Sequence, residues 1–114
     1  MPTPLESMLT FLYKEKNRLI KEMQQHQEML NVFEHSLGTK KEKLEYTSAC
    51  LQQVNVLTPL VRKKYSDILQ MEIEDTSRDL SGCQSELKRI RARQDKCWEE
   101  LKEIQENIEK LENE

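Results

Sequence analysis

The stretch HSLGTKKEKLEY, His35 to Tyr46, sets one of the chain's two glycines between long runs of charged and apolar residues. Gly38 can take the left-handed backbone conformation that ends a helix. Thr39 and Glu42, three residues apart, form a T-x-x-E capping box, so a new helix can begin at once. A stop followed directly by a start leaves room for only a short connection, and helices joined by short loops pack antiparallel. The local chemistry therefore predicts a helical hairpin with its turn at residues 37–39. The competing possibility is a lone glycine inside an unbroken helix, at a cost of about 1 kcal/mol relative to alanine.

Toward the N-terminus, Thr3-Pro4-Leu5-Glu6 carries a capping threonine, a proline at the first helical position and a glutamate that completes a second capping box. From there Leu5, Leu9, Leu12, Leu19, Met23, Leu30, Phe33 and Leu37 recur at steps of four and three, with Lys16 and His26 filling the remaining seam sites. Such a heptad stripe predicts one long helix whose apolar edge faces a partner.

Toward the C-terminus, Leu44, Leu51 and Val54, then Val61, Tyr65 and Ile68, continue a heptad with Thr47 and Thr58 between them. Pro59 falls inside this run, and a helix-interior proline costs about 3 kcal/mol, so a kink is expected near residues 58–59. A further seam of Leu69, Ile73, Thr76, Leu80, Cys83, Leu87, Ile90, Gln94, Cys97, Leu101, Ile104, Ile108 and Leu111 runs one residue out of step with Tyr65 and Ile68. A turn at Gly38 exhausts the first helix near residue 72, so the slip marks a boundary near Ile73. The expected fold is all-α: an elongated antiparallel helical hairpin over residues 4–72, continuing into a C-terminal coiled-coil segment over 73–112. The alternative is a three-helix bundle, like a spectrin repeat in length and helix count, with 75–112 folded back.

Composition agrees with helices and excludes much else. Of 114 residues 36% are hydrophobic and 34% charged, with 5% aromatic, 2 Gly and 3 Pro, which leaves few strand or turn formers. A mean hydropathy of −0.84 confines the apolar residues to stripes. The net charge of −3 gives no whole-chain attraction to nucleic acid or anionic lipid. No apolar run is long enough for a membrane span, and MPTPLES lacks the pattern of a signal peptide. Cys50, Cys83 and Cys97 form neither a C-x-x-C pair nor an even set, which points to reduced thiols and an intracellular, cytoplasmic setting, with the nucleus left open.

Catalysis has little to build on. His26 and His35 lack ligand partners at metal spacing, two glycines cannot make a phosphate loop, and the carboxylates lie on solvated faces. No enzyme, cofactor, metal or small-molecule site is expected. The expected role is a coiled-coil scaffold or adaptor that binds helical protein partners or itself, as in cytoskeletal and other assemblies. MLTFLY, Met8 to Tyr13, is more apolar than one seam requires, and Trp98 flanks the last seam. The partner-binding candidates are Met8, Phe11, Tyr13 and Ile20 on the first helix. On the last segment they are Leu87, Ile90, Gln94, Cys97, Trp98, Leu101, Ile104, Ile108 and Leu111. The alternative, an anionic surface or nucleic acid held by Arg62 to Lys64 and Lys88 to Lys96, is disfavoured because those cations spread around the helix among acids.

Overall fold

The computed structural model describes residues 1–113. It contains two long helices, α1 over Pro4–Gln52 and α2 over Pro59–Glu112, linked through one 3-10 turn at Val54–Val56. The all-α hairpin expected from the sequence is present, with its reversal in a different place.

Helix α1 starts as its capping box dictates, with Thr3 Oγ1 accepting the Glu6 N–H at 3.1 Å. It then runs straight through Gly38. No described glycine has a positive φ, so Gly38 is a helical residue and not a left-handed cap. Thr39, expected to cap a second helix, turns its hydroxyl back to the His35 carbonyl at 3.1 Å, as threonines inside helices do. The turn expected at 37–39 is therefore absent. Its physical reason lies in the seam, which keeps its four-and-three step past Gly38 through Leu37, Lys40, Leu44, Thr47, Leu51 and Val54, all buried or half-buried. Burying a Leu or Val side chain is worth about 1.5–3 kcal/mol, more than the helix loses at one glycine.

The reversal comes where a kink was expected, at Thr58-Pro59. Leu57 adopts an extended conformation (φ −89°, ψ 154°), and its N–H donates to the Val54 carbonyl at 3.0 Å. Thr58 then opens α2, its carbonyl accepting the Arg62 N–H at 2.7 Å. Pro59 stands at the first helical position, where its missing N–H costs nothing and its fixed φ suits the helix. The Thr-Pro pair thus starts α2 just as Thr3-Pro4 starts α1. Helix α2 is continuous through Ile73, so no break marks the expected boundary there, and residues 75–112 belong to α2 and form no third helix.

Two compact units divide the chain. One pairs Met1–Leu30 with α2 from Arg89 onward, and the other is Asn31–Lys88. In the first, Leu19, Cys97, Ile104 and Ile108 form the core, with Leu12, Met23 and Leu101 packed on it. The C-terminal segment, expected to run beyond the end of the first helix, packs instead against the N-terminal half of α1. In the second unit Leu69, Thr76 and Cys83 of α2 are buried together with Thr47 of α1 and Val54 of the 3-10 turn, and the Cys83 thiol donates to the Phe33 carbonyl at 3.2 Å. Val61, Tyr65 and Ile68 do not join this seam: they stay exposed, and Arg62 and Ser66, each one residue later in the chain, are half-buried in their place.

Candidate partner interface

The hairpin consumes most of the seam proposed to bind partners. Leu87, Ile90, Cys97, Ile104 and Ile108 are buried, and Gln94, Leu101, Leu111 and Ile20 are half-buried. Met8, Phe11, Tyr13 and Trp98 remain exposed; Met8 and Phe11 border one concavity of the first unit and Trp98 borders another.

Trp98 follows the buried Cys97, and one step of about 100° carries it from the seam to its flank. There it borders a groove of about 570 Å³ with Leu101 and Gln105, Lys16 of α1, and a charged rim of Glu99, Lys102, Glu106 and Glu109. The indole is 59% exposed, so its large face is not used within the unit. Lys16 Nζ lies 6.0 Å from the Tyr13 ring centroid, a cation–π distance that steers the ammonium beside the groove. The Tyr13 hydroxyl donates to the Glu112 carboxylate, and that bond is the main cause of a phenol pKa above its ordinary value. A rigid aromatic, an apolar seam residue and a rim of both charge signs can receive an apolar anchor with charged neighbours.

Phe11 precedes Tyr13 by two residues, about 200° around the helix, and so serves the other flank. With Met8, Leu12, Asn107, Lys110 and Leu111 it borders a smaller concavity of about 400 Å³. Met8, Phe11 and Leu12 thus bring much of the surplus apolar character of MLTFLY to one surface.

A third concavity, about 460 Å³, is lined by Arg18, Lys21, Glu22, Gln25, His26, Met29, Arg89, Ile90 and Arg93. Arg89 and Arg93 are four residues apart and share a face, which the expectation of cations spread around the helix overlooked. Glu22 lies 3.2 Å from Arg18, 3.9 Å from Arg93 and 3.8 Å from His26 Nε2, while Arg18 also reaches Glu15 at 2.8 Å. The Arg18 hydrogen bond, aided by the charge of that guanidinium, holds the Glu15 carboxyl's pKa below its ordinary value. His26 is buried in the seam, and its Nδ1 has no hydrogen-bond partner. Burial, reinforced by Glu22 and Glu100, raises the pKa of the neighbouring Cys97 thiol.

The second unit carries an apolar face that sequence reasoning assigned to the seam. Val61, Tyr65 and Ile68 are exposed on α2, with exposed Tyr46 and half-buried Cys50 on α1. The Tyr65 phenol's pKa is raised, chiefly by the charge interaction with Cys50 and then by burial. Cys50, Cys83 and Cys97 are all free thiols. Among the described residues no cluster of three or more His, Cys, Asp or Glu could hold a metal ion, and no helix is long and apolar enough to cross a membrane. No protein-family model, curated protein or solved structure matches the chain.

Proposed function

We propose that the chain is a non-enzymatic helix-binding module that receives an amphipathic helix of another protein in the Trp98 groove. The observation that carries this is the exposed indole beside Leu101, in a helix whose other large apolar residues of that stretch are buried or half-buried. Tryptophan side chains in such settings concentrate binding energy because they bury a large rigid area without much entropy loss. The mixed rim of Lys16, Lys102, Glu99, Glu106 and Glu109 suits a partner helix with both signs of charge around one apolar anchor. A cytoplasmic scaffold or adaptor is the proposed setting, one in which three unpaired thiols persist.

Trp98 is the chain's only tryptophan, so it reports its own occupancy. Amphipathic helices selected from a displayed library against the full chain should shift its emission to the blue. Trp98→Ala should weaken them by about 30-fold or more, the loss typical of a central anchor. Binders indifferent to Trp98→Ala and Leu101→Ala would defeat the proposal.

The concavity of Arg18, Lys21, Arg89 and Arg93 favours a second role, the capture of an anionic group. Binding of a single-stranded oligonucleotide that falls steeply with added salt and is lost in a Lys21→Gln/Arg93→Gln chain would support it. Absence of binding at low ionic strength would remove it.

A further inference from the structure

Along the first turns of α2 two stripes run side by side. Arg62, Ser66, Leu69 and Ile73 line the seam against α1, while Val61, Tyr65, Ile68 and Glu72 repeat the same step one residue earlier. One residue is about 100° around a helix, so the second stripe makes a separate face. Tyr46 and Cys50 of α1 extend it across the hairpin. Four of these side chains leave much of their surface in water: Tyr46 is 73% exposed, Val61 55%, Ile68 48% and Tyr65 38%. Helix α1 is already engaged on the seam, and the unit Asn31–Lys88 has no third long helix to cover this face. Clustered apolar surface of this kind marks an interaction site.

The charges along the stripe identify the occupant. Lys64 stands beside its N-terminal part, and Glu72 and Asp75 lie at its C-terminal end. Two copies of α2 laid antiparallel about a two-fold axis at Ile68 place Lys64 of each opposite Glu72 of the other. Tyr65 then comes level with Met71, itself exposed, within reach of a sulfur–aromatic contact; Ile68 meets its own twin and Val61 comes level with Asp75. A parallel arrangement would instead set Lys64 against Lys64 and Glu72 against Glu72. We propose that the Val61–Tyr65–Ile68 face docks a second copy of this chain, antiparallel, with Lys64 and Glu72 paired across the two-fold axis. An isologous contact of this kind closes on itself, so assembly through it stops at the dimer. It uses different residues from the Trp98 groove and stands or falls separately.

Sedimentation of the full chain over a range of concentrations tests it, with circular dichroism confirming that each variant keeps its helices. The wild-type chain should be a reversible dimer, and Ile68→Glu should make it monomeric, since two carboxylates would meet on the axis. Lys64→Glu and Glu72→Lys should each raise the dimer dissociation constant on the order of tenfold, because each creates two like-charge contacts. The double variant K64E/E72K should return it close to the wild-type value, since the pairs reform with their signs exchanged. A wild-type chain that stays monomeric at every concentration overturns the proposal. So does a dimer untouched by Ile68→Glu, or one that the double variant weakens further.

Discussion

Replacing Gly38 by alanine should make the protein more stable, and the sign of the effect decides where the chain reverses. Gly38 lies well inside α1 with helical φ, and a Cβ built on it meets nothing within 4 Å. No packing or strain contribution then offsets the backbone entropy that glycine loses on folding, so the full propensity difference of about 0.8–1.0 kcal/mol should appear as stabilisation. Were Gly38 a left-handed cap, the same methyl group would cost about 1–2 kcal/mol. The two arrangements differ by about 2–3 kcal/mol and in direction. Gly82 offers an internal control, since it is also helical with nothing within 4 Å of a Cβ. Urea denaturation followed by far-ultraviolet circular dichroism at fixed protein concentration reads the change as a shift in midpoint. With a slope of about 1–3 kcal/mol/M, Gly38→Ala should raise the midpoint by about 0.3–1 M at unchanged slope. A lowered midpoint for Gly38→Ala beside a raised one for Gly82→Ala would refute the continuous helix.

Leu19 and Ile90 are each only 1% exposed, so Leu19→Ala or Ile90→Ala should lose about 2–5 kcal/mol in the same assay, while Arg18→Ala, half exposed, should lose under about 1 kcal/mol. His26→Leu should gain about 1–3 kcal/mol by removing a buried nitrogen with no partner, and a loss would show that the imidazole is satisfied by other means. Spin labels at positions 36 and 79 should report a short separation, because Ser36 and Asp79 border one groove; a chain folded at Gly38 would hold them roughly 60 Å apart at 1.5 Å per residue. The buried Cys97 thiol, its pKa raised, favours folding fully below the unfolded-state thiol pKa, and that contribution is lost as pH rises through the folded-state value. The urea midpoint of the wild-type chain should therefore fall across alkaline pH more than that of Cys97→Val, and equal slopes would contradict it.

Much of the fold was legible because a heptad stripe is a long-range signal: every residue from Leu69 to Leu111 assigned to the last seam is buried or half-buried. The turn was misplaced because two strong local signals coincided at Gly38 and Thr39. Lys40 and Thr47 disguised the stripe that passes them, although each occupies its proper step in the chain. Thr58-Pro59 carried the same N-terminal signature as Thr3-Pro4, and there the local chemistry was the better guide. At Val61, Tyr65 and Ile68 the pattern was real but ambiguous: with apolar residues at adjacent heptad phases, sequence alone cannot say which stripe meets α1. The Trp98 groove was half visible, its tryptophan evident and its lining from Lys16 fixed only by the register of the two helices. The basic concavity joins Arg18 and Lys21 to Arg89 and Arg93, and only folding brings those pairs together.

A hairpin of two helices buries one stripe per helix, and here that stripe includes His26, Thr47 and Thr76 where leucines would contribute more. Polar seam residues weaken a helix pair but favour one register over its neighbours, since a slip would bury them against unsuited partners. Meanwhile Phe11, Trp98, Tyr46, Val61 and Ile68 keep large apolar surfaces in water. Any partner that covers them binds the folded hairpin and not the unfolded chain, so it stabilises the fold in proportion to the logarithm of its concentration. Stability and recognition are therefore coupled in this chain. The seam orders the hairpin that presents these faces, and a partner bound there as proposed would add stability that a single polar-interrupted seam withholds.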